Sequence, residues 1–141
     1  MVRLPHPRRS PKHFLDVQAQ LKEVIEDVNY RVAMVIVEGA HDEQALLKFG
    51  LKRPVRRFCD SRMPTFAFVD EVVEDYADET VLILLDFDDE GARMAERIGN
   101  ELEVRGVKVD GFVRRRVARL LLPEGIRRIE ETGTISSRAE L

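Results

Sequence analysis

Three features of the sequence predict an α/β fold: a central parallel sheet of about four strands with helices on both faces. First, the runs Val32-Ala33-Met34-Val35-Ile36-Val37 and Val81-Leu82-Ile83-Leu84-Leu85 are continuously apolar. They lack the alternation of a sheet that faces water on one side, as expected of strands buried on both faces. Second, each run leads through a glycine-bearing turn into apolar residues at helical spacing, which makes two strand–turn–helix units. Third, the 141 residues match the usual size of one domain and leave little room for two.

The elements follow in chain order. Ser10 before Pro11 reads as an N-cap and first helical residue. Phe14, Val17, Leu21, Val24, Ile25 and Val28 then repeat at helical spacing, giving an amphipathic helix over about 12 to 28 whose apolar stripe is expected to cover the sheet. The first core strand, 32 to 37, ends at Glu38-Gly39. Ala45, Leu46 and Phe49 mark a short helix that Gly50 closes. Val55 to Phe58 form a second short strand, and Phe66, Val69, Val72, Val73 and Tyr76 a helix begun by Pro64-Thr65. The strand 81 to 85 runs into Asp86-Phe87-Asp88-Asp89-Glu90-Gly91 and a helix with Ala92, Ala95, Ile98 and Leu102 inward, terminated at Gly106. Val107, Val109, Phe112 and Val113 predict a fourth strand, Pro123 to Glu131 a last helix, and the segment from Thr132 a loose tail. The organisation expected is an arm and helix over 1–30, the α/β domain over 31–131 and a flexible tail over 132–141.

Composition narrows the class. Charged residues reach 35%, against roughly 25% in average proteins, so the surface is densely ionic. High Glu and Arg with two Asn and three Gln lean towards a heat-adapted source. Cys59 alone excludes an intrachain disulfide and a multi-cysteine zinc site and fits a reducing cytoplasm. No run approaches the roughly 20 apolar residues of a membrane-spanning helix, and prolines and polar residues follow the basic N-terminus where a secretory signal needs an apolar stretch. The net charge is -3, but ten acids and no Lys or Arg lie between Asp70 and Glu90. Basic groups gather at Arg8-Arg9, Lys52-Arg53, Arg56-Arg57, Arg114-Arg115-Arg116-Arg119 and Arg127-Arg128, an arrangement able to meet an anionic partner.

Glu38 follows one buried strand and Asp86 another, so a parallel sheet brings both to the same edge, with Asp88 two residues on. Crowded carboxylates repel and drive protonation unless a cation relieves them, and a hard divalent ion prefers oxygen ligands. Magnesium fits this set better than zinc. Gly39 and Gly91 allow close backbone approach to a ligand, and a helix starting near Asp89 aims N–H groups at the same edge.

The segments Val37-Glu38-Gly39-Ala40-His41-Asp42-Glu43-Gln44-Ala45-Leu46 and Leu85-Asp86-Phe87-Asp88-Asp89-Glu90-Gly91 resemble the two motifs of the Toprim domain of topoisomerases and primases. The resemblance runs from about Val32 to Val113 and implies a Rossmann-like sheet. It implies that Glu38 acts as general acid or base, that Asp86 and Asp88, with Glu38, bind magnesium (manganese as a substitute), and that Asp42 supports the metal shell beside the catalytic Glu38. Some members of that family carry a further acidic pair after the last strand. Arg114, Arg115 and Arg116 stand there instead, with Asp110 and Glu124 as poor substitutes, which argues against a second protein-bound metal. Several nuclease-like members have a lysine after the glycine; here Ala40 and His41 follow, and His41 reads as a surface residue at a helix start.

Size leaves no room for a topoisomerase's tyrosine domain or a primase's polymerising scaffold, and Tyr30 and Tyr76 read as structural. The small stand-alone Toprim proteins, similar to the nuclease that matures 5S ribosomal RNA, remain as the nearest architecture. The expected function is a magnesium-dependent nuclease or related phosphoryl-transfer protein acting on RNA or DNA, RNA favoured. Arg53, Arg56, Arg57, Arg114, Arg115 and Arg116 are expected to contact backbone phosphates. The alternative is a non-catalytic nucleic-acid-binding or regulatory subunit that recruits a protein partner. Receiver domains and aspartate-nucleophile phosphatases also gather acids around magnesium, but their motif order differs from this one.

Overall fold

A computed structural model describes residues 9–139. Helix α1 (Pro11–Arg31) is followed by β1 (Met34–Val37), α2 (Ala40–Lys48), β2 (Val55–Arg57), α3 (Thr65–Tyr76), β3 (Thr80–Leu84), α4 (Asp89–Val104), β4 (Lys108–Val109) and α5 (Gly111–Leu121). Two 3₁₀ turns, Leu122–Glu124 and Ile129–Thr132, lead to α6 (Gly133–Ala139). The strands form one all-parallel sheet in the order β2-β1-β3-β4, with Val37 beside Leu84 and Val37 beside Arg57. The predicted α/β class with its four-stranded parallel sheet is observed.

Side chains of a strand alternate between faces, and both faces here are covered. Val35, Val37, Leu82 and Leu84 pack with α1, α2 and α5 and with Ile135 of α6. Met34, Ile36, Val81, Ile83 and Leu85 pack with Phe68, Val69 and Val72 of α3 and Ala95, Ile98 and Leu102 of α4. This explains the unbroken apolar runs. Helix α1 begins as expected, with Ser10 Oγ accepting from the His13 N–H at 3.3 Å, and its stripe is buried in the first core. It therefore belongs to the same packed unit as residues 31–131.

Three expectations are corrected. Phe112 and Val113 are not a strand: Asp110 Oδ1 accepts from the Val113 N–H at 3.0 Å and starts α5, whose Val113, Val117 and Leu121 bury one face at helical spacing. Residues 123–131 hold no α-helix but parts of two 3₁₀ turns, Leu122–Glu124 and Ile129–Thr132, with Ile126 and Ile129 buried. The segment from Thr132 is not loose over 132–139. Thr132, Ile135 and Ala139 are buried, α6 packs along α1, and Gln18 Nε2 donates to Ser136 Oγ at 3.2 Å. The N-terminal arm over 1–8 and residues 140–141 lie outside the described residues.

The chain leaves β1 through α2 towards β2, returns through α3 to β3 on the other side of β1, and leaves β3 through α4. Helices α2 and α4 depart to opposite faces, so the C-terminal ends of β1 and β3 enclose the crevice in which open parallel sheets bind ligands. Among the described residues no helix is long and apolar enough to cross a membrane.

Candidate active site

Glu38 follows β1 directly and Asp86 lies two residues past β3, so the sheet delivers both to this crevice. They line a cavity of about 320 Å³ together with Gly39, Ala40, His41, Asp42, Cys59, Asp60, Arg128 and Glu130. The expected convergence of Glu38 and Asp86 is present. Cys59, Asp60, Arg128 and Glu130 are site residues that the motifs do not mark. Glu38 Oε2 accepts from the Cys59 thiol at 2.7 Å, and its carbonyl accepts from the Cys59 N–H at 2.9 Å. Burial and the Glu38 and Asp60 carboxylates push the Cys59 thiol up to about 12, which keeps it protonated as a donor.

Asp86 is the electrostatically unusual group. Burial first, then the charges of Glu38, Asp42 and Asp88, raise its carboxyl to about 7; Arg128, whose Nε lies 3.9 Å away, offsets this only in part. Beneath it lies Arg114. Its Nη1 donates to the carbonyls of Ile83 at 3.1 Å and Leu85 at 2.9 Å, its Nη2 donates to that of Asp86 at 3.4 Å, and its plane stacks on Phe87. Burial pulls this guanidinium's pKa below its ordinary value.

Asp42 and Asp88 hold the backbone. Asp42 is buried, its Oδ2 accepting from the Gly39 N–H at 3.1 Å and its Oδ1 from the Glu130 N–H at 3.0 Å. Burial outweighs these bonds and raises its pKa. With both oxygens engaged by backbone N–H groups, Asp42 positions the turn that carries Glu38. Asp88 caps α4, Oδ1 accepting from the Gly91 N–H at 2.7 Å. Gly91 is required sterically: a Cβ there would lie 2.1 Å from the Asp86 carbonyl oxygen. At Gly39 a Cβ would meet the Asp60 carboxylate at 3.3 Å, and Asp60 Oδ2 accepts from the Ala40 N–H at 3.1 Å, where α2 begins. The aspartate fills that helix N-terminus.

Among the described residues no three His, Cys, Asp or Glu side chains are gathered closely enough to hold a metal ion by themselves. The donor chemistry nevertheless fits magnesium, which keeps several waters and takes one or two protein carboxylates plus substrate oxygens. Glu38 and Asp86, which line one cavity, would be such a pair. Asp110 and Glu124, the weak candidates for a second acidic site, serve elsewhere: Asp110 caps α5 and pairs with Arg31 at 2.9 Å, and Glu124 accepts from His13 and Arg9.

The six arginines expected at phosphate are not one surface. Arg114 is engaged under β3 and is corrected from a nucleic-acid contact to a buttress. Arg116 pairs with Asp27 at 2.6 Å, Arg56 with Asp75, and Arg57 with Glu43 at 2.7 Å. Arg115 is exposed on α5. Arg53 donates to the Asn29 carbonyl at the opposite edge of the sheet. Tyr76 packs in the second core as expected, whereas Tyr30 is 83% exposed and has no structural burial to explain it.

No protein-family model matches the chain. It is 27% identical over 128 residues to a UPF0292 protein of Pyrococcus horikoshii, covering 91% of this chain and 92% of the relative. It is 33% identical over 113 residues to a UPF0292 protein of Methanocaldococcus jannaschii, covering 79% and 85%. Among solved structures, a protein from Aquifex aeolicus is 26% identical with a TM-score of 0.58, covering 83% of this chain and 95% of that one. With one third identity to the Methanocaldococcus protein across most of both chains, the protein belongs to the UPF0292 family.

Proposed function

We propose that the protein is a Toprim-like, magnesium-dependent nuclease or related phosphoryl-transfer protein that acts on nucleic acid, RNA favoured, in the cytoplasm. The observation that carries this reading is the pair Glu38 and Asp86 at the ends of adjacent parallel strands, with Asp86 raised to about 7 by burial and neighbouring carboxylates. A cation would relieve that crowding, and a hard divalent ion takes carboxylate and phosphate oxygens together. Glu38 and Asp86 would hold magnesium, which when bound would supply positive charge against that building on phosphate. The Glu38 carboxylate, held by the Cys59 thiol, is placed to take a proton from the attacking oxygen or return one to the leaving oxygen. Arg114 fixes the carbonyls around Asp86, so the carboxylate meets the substrate without rearranging.

One observation favours a second reading, a binding or regulatory subunit: Asp42 and Asp88, two of the motif acids, are engaged in holding backbone. Cleavage of labelled structured RNA and single-stranded DNA separates the two. With magnesium or manganese, wild type cuts, and chelator, Glu38→Gln and Asp86→Asn each abolish cutting. Binding of metal and nucleic acid without any cleavage by wild type overturns the nuclease reading in favour of the subunit.

A further inference from the structure

At the N-terminal edge of the sheet, opposite the acids, α1 ends and the chain passes from α2 to β2. There Lys22, Lys48, Lys52 and Arg53 line a cavity of about 520 Å³ with Tyr30, and Glu26 is the one acid among the described residues of its wall. The hollow is built, not incidental. Asn29 joins its walls: Nδ2 donates to the Gly50 carbonyl at 3.0 Å, Oδ1 accepts from the Lys52 N–H at 2.8 Å, and the Asn29 carbonyl accepts from Arg53 Nε at 2.5 Å. That last bond leaves the terminal nitrogens of Arg53 for another acceptor. Among the described residues Lys22, Lys48, Lys52 and Arg53 have no ion pair, as is true of Lys12 and Lys108, so the positive charge of the hollow is not neutralised by paired carboxylates.

We propose that this hollow binds a single-stranded segment of nucleic acid, with the lysines and Arg53 on consecutive phosphates and a base stacked on Tyr30. The charge excess suits any polyanion, and the exposed aromatic ring selects among them. Cations tracking a backbone beside a ring on which a base can lie are the two elements of single-strand recognition. A peptide of acidic residues would use the ammonium groups and leave a tyrosine that is 83% exposed without a role. The inference shares the polymer class with the proposed function but not its residues, and holds whether or not the acidic site cuts.

The test is fluorescence anisotropy of a labelled single-stranded RNA across a salt series, in chelator so that cleavage plays no part, with polyglutamate as competitor. The substituted side chains are exposed, and circular dichroism checks that each variant keeps its fold. Lys48→Glu with Lys52→Glu is expected to weaken binding at low salt at least about tenfold and to reduce the salt slope by about 0.7 for each phosphate no longer neutralised. Tyr30→Ala is expected to weaken it about 5- to 150-fold, the range for losing one stacked base. Wild-type binding by both variants overturns the inference. So does a loss confined to the lysine variant in which polyglutamate displaces RNA at equal charge, since the hollow then serves an acidic peptide. Failure of cleavage by wild type with these binding losses intact sinks the nuclease reading alone.

Discussion

Asp42 Oδ1 accepts the Glu130 N–H at 3.0 Å across 88 positions of chain, while Oδ2 of the same carboxylate accepts the Gly39 N–H. One buried side chain thus ties the start of α2, where Glu38 emerges, to the turn that carries Arg128 and Glu130 into the cavity. Asp42→Ala leaves both donors without their partner and is expected to cost about 2–4 kcal/mol. Hydrogen exchange checks the locality of the effect: amides over 129–139 should lose protection before those of the sheet.

Asp86 makes stability depend on pH. Its carboxyl titrates at about 7 in the folded protein and near its ordinary value of 3.8 when exposed. Between those values the folded chain keeps a proton that the unfolded chain has lost. The group's contribution is therefore complete below about pH 4 and is lost as pH rises through about 7. In chelator, Asp86→Asn should match wild type near pH 4 and exceed it at pH 8 by about 2–4 kcal/mol, a range reduced for the residual exposure of the group. Urea denaturation at the two pH values measures the difference, and an advantage that is equal at both would refute the assignment. Millimolar magnesium should raise the wild-type melting temperature at pH 8 more than at pH 5.

Arg114→Met removes the donors for the carbonyls of Ile83, Leu85 and Asp86 and is expected to destabilise by about 2–4 kcal/mol. Arg114→Lys should recover little of this, because a single ammonium cannot reproduce a planar fork that also stacks on Phe87. Denaturation midpoints for both variants decide it; full rescue by lysine would show that charge alone matters.

Gly91→Ala places a methyl group 2.1 Å from the Asp86 carbonyl oxygen. Backbone on both sides must shift, and a loss of at least about 3 kcal/mol is expected, in the range of severe overpacking or backbone strain. Gly133→Ala, where a Cβ meets nothing within 4 Å, is the control and should melt close to wild type.

Ile135→Ala tests whether α6 belongs to the core. The side chain is 1% exposed, and truncating it is expected to cost about 2–5 kcal/mol. A change within about 0.5 kcal/mol, the usual range for a surface position, would return the segment to the status of a tail.

Much of the architecture was legible because buried parallel strands need unbroken apolar runs and helices need an apolar stripe. Val32 to Val37, Val81 to Leu85 and the stripes of α1, α3 and α4 satisfy those periods; the two strands lie within two residues of the expected bounds, and α1 runs three residues past its expected end. Helix α5 was misread although Val113, Val117 and Leu121 carry the helical spacing, because Phe112-Val113 by itself looks like strand and the arginine cluster masks the stripe. Helix α6 escaped for a related reason: Gly, Thr and Ser surround Ile135, and its burial depends on α1, far away in sequence.

By itself the sequence determined the α/β class and the delivery of Glu38 and Asp86 to one edge, since a residue that ends a strand of a parallel sheet has nowhere else to go. Only the tertiary structure decided what the remaining charged groups do. Motif spacing is a local property, whereas a carboxylate's partner is whichever donor the fold brings within about 3 Å, the reach of a hydrogen bond. Asp42 and Asp88 therefore became backbone anchors, Arg114 a buttress under Asp86, and Cys59, Asp60 and Arg128 neighbours of the acids, although no spacing in the chain relates them.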